Sequence, residues 1–227
     1  MANNNVSKID LHLETLPLVT RNALEQLSMF KWFKKSKWYL AGGTALALQI
    51  GHRSSMDLDF FIPQTDFNAG KLLKHFANKN WKLTLLKEGT IYGEWNGTKV
   101  SFIAYPFFVP SKNILYYKNI RVLSLKDIAV MKLIAVSQRG KKRDFIDLYW
   151  YAKNVEPLYD VLLRLRRQYP RIEHNYHHII KSLSYFADAE NEPEPKLFFK
   201  ASWQQVKNFF VAEVKMLARK FKFVSGR

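Results

Sequence analysis

Cysteine is absent from all 227 residues. That excludes a disulfide framework, a thiolate zinc site and catalysis by a cysteine nucleophile. Long hydrophobic runs are missing too. The longest apolar stretch, near Val100 to Val109, is interrupted by Ser101 and Pro106 and falls far short of the roughly 20 residues a membrane-spanning helix needs. The start, Met1 to Asn5, is polar and carries no apolar h-region of a secretory signal. No internal repeat is evident. These absences lead to the expectation of a soluble cytoplasmic protein with no membrane partner.

Negative charge is also scarce, with 19 acidic residues against 36 basic ones and a net charge of +17. Such an excess favours association with polyanions, nucleic acid first among them; a lysine-rich surface alone gives the same number. Clustering adds to the nucleic-acid reading. Lys31, Lys34, Lys35 and Lys37 precede a glycine turn, and Arg139, Lys141, Lys142 and Arg143 precede an acidic motif. What the chain has in quantity is apolar residues, 48%, enough for a core in one domain or two small ones.

Hydrophobic spacing predicts a helical segment over about residues 8 to 35, interrupted near Pro17. Strands are expected at Trp38–Ala41, Met56–Ile62, Lys82–Leu86, Ile91–Trp95 and Lys99–Tyr105, with a helix over about Phe67–Asn78. Asn96-Gly97 signals a two-residue hairpin turn. From Ser124 onward the pattern is helical, with helices near 125–138, 144–153, 156–168, 172–187 and 202–221, and Asn191-Glu192-Pro193-Glu194-Pro195 reads as a loop.

Chemistry concentrates in Gly42-Gly43-Thr44, which joins an apolar strand to a helix running to Ile50, and in Asp57-Leu58-Asp59 soon after. The first amides of a helix are free to meet phosphate oxygens, and glycine lets a phosphate approach the backbone. Asp57 and Asp59, two apart on a strand, share a face and can serve one hard cation, which takes carboxylate and phosphate oxygens. A strand with one solvated face also carries alternating acids without any ion. Arg53 and Ser55 lie between the helix and the acidic strand, within reach of base, ribose or phosphate, whereas His52 and Ser54 read as surface residues.

The run GGTALALQIGHRSSMDLDFF resembles the Gly-Gly-[Ser/Thr] and Asp-x-Asp signature of nucleotidyltransferases of the DNA polymerase beta superfamily, specifically the AbiEii/AbiGii toxin family that includes the MenT toxins. Lys132-Leu133-Ile134-Ala135, followed by Arg143-Asp144-Phe145-Ile146-Asp147-Leu148-Tyr149, is similar to that family's Lys-x-x-Ala and [Arg/Lys]-Asp-x-x-Asp-Leu motifs. By motif the match covers about residues 36 to 153, and Ser184–Leu217 resembles the family loosely.

Spacing alone leaves the second pair of motifs open. Lys132 interrupts the apolar stripe Leu125, Ile128, Ala129 and Val136, so its stem lies along the core with the ammonium in solvent, or it projects into a cleft to meet an anion. Asp144 and Asp147 suit a helix start as capping acids. The resemblance implies that Lys132 binds triphosphate and that Asp144, with Asp147 as second choice, completes the site by accepting a proton or orienting Lys132.

One departure stands out. Polymerase-beta-type enzymes carry a third carboxylate on a later strand, where this chain has Ser101. Glu94 shares its face across the hairpin and is either a stand-in or the cross-strand ion-pair partner of Lys99. His174, His177 and His178 lack recognised ligand spacing and read as helix-face residues, and Tyr149, Trp150 and Tyr151 either stack a base or, the commoner use of such aromatics, belong to the core.

The resemblance therefore implies an α+β fold: a polymerase-beta-type nucleotidyltransferase core, a small mixed sheet with flanking helices, over residues 1–123, then an α-helical domain over 124–227, with the site between them. On this reading Gly42, Gly43, Thr44, Arg53, Ser55 and Lys132 are expected to bind the nucleoside triphosphate, Asp57 and Asp59 to hold magnesium or manganese, and Asp57, Asp59, Lys132 and Asp144 to be catalytic. The expected reaction moves a nucleoside monophosphate to a hydroxyl, with the 3′ end of a transfer RNA as the implied acceptor and a cognate antitoxin as partner. The alternative is a catalytically inactive nucleotide- or RNA-binding relative of the same fold.

Overall fold

In the computed structural model, residues 11–77 and 80–224 are described, with the side chains of 222–224 left aside. The polar start Met1–Asn5, the beginning of the helical segment expected from residue 8, and Asn78 at the end of the helix expected over Phe67–Asn78 lie outside the described residues. The chain divides into two compact units, Met1–Leu125 and Lys126–Arg227.

The first unit opens with a short 3₁₀ turn, Leu13–Thr15, and helix α1, Leu18–Ser28, whose Ala23, Leu24 and Leu27 are fully buried. The interruption expected near Pro17 falls between the 3₁₀ turn and α1: Pro17 is the residue before the helix's first turn, where a missing N–H costs nothing. Helix α2, Lys31–Lys35, buries Phe33 and leaves Lys31, Lys34 and Lys35 exposed. Strand β1, Tyr39–Ala41, runs straight into α3, Gly42–Ile50.

The sheet has seven strands: β1, β2 (Leu58–Ile62), β3 (Trp81–Lys87), β4 (Thr90–Trp95), β5 (Thr98–Ala104), β6 (Leu115–Tyr117) and β7 (Ile120–Val122), in the order β3-β4-β5-β2-β1-β7-β6. It is mixed: β2 pairs parallel with β5 and antiparallel with β1, and β1 pairs parallel with β7. Asn96 and Gly97, both at positive φ (48° and 82°), close the β4–β5 hairpin in the turn that dipeptide favours. Strands β6 and β7 were not expected from the pattern. The helix expected over Phe67–Asn78 shortens to α4, Ala69–Lys74, capped by the Asn68 side chain.

Strand β2 shows why Asp59 faces where it does; it starts at Leu58, so Asp57, expected on this strand, precedes it. Leu58, Phe60 and Ile62 are buried while Asp59 and Phe61 are half-buried, the period-two alternation of a strand with one packed face. Phe60 stacks on Phe102 with centroids 5.1 Å apart and meets Phe33 at 4.9 Å, and Trp38 meets Phe102 edge-on at 5.1 Å. Each such ring contributes about 1.5–3 kcal/mol on burial. A one-residue slip of β2 would push Asp59 into that aromatic layer, so its register is fixed by the packing behind it.

The second unit is helical: α5 (Leu125–Arg139), α6 (Lys142–Asn154), α7 (Leu158–Gln168), α8 (Tyr176–Ser182), α9 (Ala187–Glu190) and α10 (Trp203–Val224). The single helix expected near 172–187 is replaced by α8 and α9. Phe145 is its aromatic centre, 5.3 Å from Phe210 and 5.1 Å from Phe186. Tyr151 is fully buried, and Tyr149 packs edge-on against Phe209 at 5.2 Å, so both serve the core. No helix among the described residues is long and apolar enough to cross a membrane.

Candidate functional site

The glycine turn is built against the acidic strand. Gly42 has φ +67°, a left-handed conformation that costs a side-chain-bearing residue about 1–2 kcal/mol. Space forbids a side chain as well, since a Cβ at Gly42 would lie 2.7 Å from Asp59 Oδ2. At Gly43 a Cβ would meet Arg53 Nη2 at 2.4 Å and Ser55 Oγ at 3.4 Å. The backbone here therefore touches a carboxylate on one side and a guanidinium on the other. Ala41, the residue before α3, supplies no side-chain cap to that helix.

Thr44 differs from its expected use. Its hydroxyl is buried, donates to the carbonyl of Asp57 and shares a 2.8 Å hydrogen bond with Ser55 Oγ. It clamps the glycine turn to the acidic segment, so any contribution of Thr44 to a phosphate comes from its backbone amide. Arg53 is buried with only 3% exposure, and its Nη1 donates to Ser54 O at 2.9 Å. His52, expected at the surface, is buried as well.

Asp59 stands opposite Ala41 on one neighbour strand and opposite Ser101 on the other. Ser101 Oγ donates to Asp59 Oδ1 over 2.7 Å, a charge-assisted bond that steadies one carboxylate oxygen. A cavity of about 390 Å³ opens beside them, lined by Asp57, Asp59, Tyr92, Glu94, Lys99 and Ser101 among others. Glu94 and Lys99 are opposite one another in register and both line this cavity, but among the described residues no ion pair joins them. Tyr92 was not singled out in the sequence, although it lies two residues from Glu94 and so on its face.

Asp57 and Asp59 offer the hard oxygen donors that suit magnesium or manganese. Among the described residues no group of three or more His, Asp or Glu side chains is placed to hold a metal. A divalent ion carried by this pair would take its other oxygens from phosphate and water, the usual arrangement for magnesium. His174 and His178 are engaged with carbonyls, His174 Nε2 with Tyr169 O at 3.1 Å and His178 Nε2 with Ser137 O at 3.3 Å; His174 precedes α8 rather than lying on it.

In the second unit Lys132 neither reaches solvent nor stands alone. It is buried with 5% exposure, and its ammonium lies 2.6 Å from both Asp144 Oδ1 and Asp147 Oδ2, two carboxylates with no exposed surface. Arg139 adds a contact, Nε to Asp144 Oδ2 at 3.0 Å. Asp144 therefore does not cap α6. The N-cap is Lys141, and Glu192 Oε2 accepts from the amide of Lys142 at 2.8 Å instead. Burial pushes the Asp144 carboxyl up, but the Lys132 ammonium and Arg139 guanidinium outweigh it and hold it below the usual carboxylate range. A carboxyl so held is a weak proton acceptor at neutral pH; of the two roles offered for Asp144, the geometry favours orienting Lys132. An ammonium has three donors. Two are taken here, and no third partner is present among the described residues.

Of the basic cluster ahead of this motif, Lys142 is turned inward. It is buried, its Nζ bonding Glu192 O at 2.7 Å and Glu190 O at 3.2 Å and lying 5.4 Å from the centre of the Trp203 ring. Arg139 and Arg143 remain exposed.

Known proteins resemble this chain over most of its length. The profile described as "Nucleotidyl transferase AbiEii toxin, Type IV TA system" matches residues 26–83 and 101–222. An uncharacterized protein of Aquifex aeolicus is 34% identical over 192 residues, 78% of this chain and 86% of its own length. Among solved structures, JHP933 from Helicobacter pylori superposes with a TM-score of 0.53 at 18% identity, covering 93% of this chain and 97% of its own. MenT4, a nucleotidyltransferase toxin of Mycobacterium tuberculosis, gives 0.51 at 14% identity, covering 90% and 87%. The fold is thus the α+β nucleotidyltransferase fold of the polymerase beta type.

Proposed function

We propose, from the premise that this chain belongs to the AbiEii nucleotidyl transferase toxin family, that it transfers a nucleoside monophosphate from a nucleoside triphosphate to a hydroxyl on RNA, with the 3′ end of a transfer RNA as acceptor. The observation that carries the reading is the contact of the glycine turn with Asp59, which leaves 2.7 Å between a Cβ position at Gly42 and the carboxylate. Backbone and carboxylate that close form one cradle for a triphosphate and its counter-ion, not two unrelated features.

In this reading the amides after Gly42 and Gly43 hold phosphate oxygens, and Arg53 supports the turn with its positive charge. Asp57 and Asp59 hold a divalent ion, whose chemistry is to polarise phosphoryl oxygens and neutralise charge as it develops. Lys132, fixed by Asp144 and Asp147, offers its remaining N–H to a phosphate as a point charge. The acceptor oxygen bonds to the alpha phosphorus as the alpha–beta bridge breaks, pyrophosphate leaves, and the hydroxyl proton passes to water. Placement in line and charge neutralisation supply most of the rate.

MenT4 is described as a toxin, and the same biological role, with a cognate antitoxin as partner, is proposed here. A second reading, a nucleotide- or RNA-binding relative without transferase activity, rests on Ser101, a hydroxyl where enzymes of this type carry a third acid. Incubation with each labelled nucleoside triphosphate, magnesium and total RNA separates the two. Transfer that Asp57→Ala abolishes supports the enzyme; triphosphate binding with no labelled RNA supports the relative; equal labelling by wild type and Asp57→Ala removes the mechanism.

A further inference from the structure

In-line displacement needs the entering and leaving oxygens on opposite sides of phosphorus, and the sheet order supplies two such sides at Asp59. On one side is β1, whose end is the glycine turn proposed to hold the departing pyrophosphate. On the other are β5 and β4, and there the cavity of about 390 Å³ opens. That volume lies within the about 300–1,000 Å³ of small-ligand sites.

We propose that this cavity is the acceptor subsite and takes the 3′-terminal nucleoside of a single-stranded RNA end, with Tyr92 as the stacking platform for its base. The inference rests on the nucleotidyltransfer reading above. Tyr92 is 41% exposed although it belongs to a strand in the middle of the sheet's β3–β5 half. Its neighbour Gly93 carries no side chain, because a Cβ there would run into the Trp81 ring at 2.2 Å. Trp81 thus backs the strand from the opposite face, while Tyr92 stands on the cavity side with Glu94. An aromatic ring at the wall of a cavity with an exposed lysine, Lys99, and hydroxyls from Thr84 and Ser101 is the combination that single-stranded nucleic acid uses: a stacking surface, a cation for the preceding phosphate, and polar groups for ribose.

The remaining wall selects the end group. Asp57, Asp59 and Glu94 line the same cavity, so with no divalent ion added a terminal phosphate would enter against three carboxylates whereas a terminal hydroxyl would not. A peptide hydroxyl would also satisfy that wall, but it has no use for a stacking ring beside a cation. The charge of +17 likewise favours a polyanion.

The experiment measures, without added divalent ion, fluorescence anisotropy of a six-nucleotide single-stranded oligoribonucleotide bearing either a 3′-hydroxyl or a 3′-phosphate, on the full-length protein. Wild type is expected to bind the hydroxyl form more tightly. Tyr92→Ala should weaken that binding about tenfold, within the range for loss of one stacked base, while Tyr92→Phe retains it and Lys99→Ala weakens both forms alike. Binding of a fluorescent nucleoside triphosphate should be unchanged in Tyr92→Ala. Indifference to the end group, indifference to Tyr92→Ala, or a parallel loss of triphosphate binding would each overturn the subsite, as would label carried by protein instead of RNA. Failure of the wild type to transfer label to any RNA counts against the nucleotidyltransfer reading, while the anisotropy still decides the cavity's occupant.

Discussion

Ser101 Oγ donates a 2.7 Å hydrogen bond to Asp59 Oδ1, and the two residues face each other directly across the parallel pair of β2 and β5. An acid at this position would bring two negative charges together; the hydroxyl instead donates to the carboxylate and fixes one of its oxygens. The residue that replaces the third acid therefore orients the second. Ser101→Ala should keep the fold, since only one hydrogen bond is lost, yet lower metal-supported transfer by about 10–100-fold, the usual cost of removing such an outer-shell partner. The readout is transfer rate against magnesium concentration. A curve identical to wild type at low magnesium would leave Ser101 without this role.

How far the chain could be read in advance depended on how local each feature is. Gly42-Gly43, Asp59 and the Asn96-Gly97 hairpin are set by residues within a few positions and lie where their spacing placed them, whereas Asp57 falls just before β2 instead of on it. Strands β6 and β7 escaped because they are three residues each, joined through Lys118 at φ 53°, and owe their existence to a distant partner: Tyr39 pairs with Arg121. The same limit applied at Asp144. Position in α6 suggested capping, whereas the contact that decides its use is with Lys132, on the preceding helix. Thr44 was legible as part of the turn, but the direction of its hydroxyl, toward Asp57 O, is a tertiary fact.

Gly42→Ala tests the cradle by geometry alone. The left-handed backbone costs about 1–2 kcal/mol with any side chain, and at about 2–4 °C per kcal/mol for a chain of this size the melting temperature should fall by a few degrees. Activity should fall further than stability predicts. The new methyl group must displace the Asp59 carboxylate, 2.7 Å away, and a misplacement of that order costs about a hundredfold in rate. Thermal melting and transfer on one sample compare the two losses; a variant that melts early yet transfers at the wild-type rate would show that the contact is only structural.

Lys132→Met separates stability from function in the second unit. Removing the ammonium leaves Asp144 and Asp147, both without exposed surface, facing a gap, and breaking a buried pair from one side costs about 3–5 kcal/mol. Neutralising the acids as well, in Lys132→Met/Asp144→Asn/Asp147→Asn, should recover much of that loss, because no uncompensated charge remains. Transfer should not recover with it if the ammonium serves a phosphate. Urea denaturation followed by circular dichroism gives the first comparison, and labelled transfer the second; a triple variant restored in both would reduce Lys132 to a structural ion.

Acidification should act in opposite directions on the wild type and on Lys132→Met. In the wild type the Asp144 carboxyl is held below its usual range, burial being outweighed by Lys132 and Arg139, so the unfolded chain binds its proton first as pH falls. Stability from this group is fully present above the unfolded value near about 3.9 and is lost as pH drops through the folded value. Without Lys132, burial and the neighbouring Asp147 both raise the carboxyl, and only the half-exposed Arg139 opposes them. The folded state then holds its proton more tightly than the unfolded one, so stability is present at low pH and is lost as pH rises through the raised value. Urea midpoints at pH 5 and pH 7.5 should therefore be nearly level for the wild type and higher at pH 5 for Lys132→Met. Parallel pH dependence in the two proteins would mean that the ammonium is not what keeps Asp144 ionised.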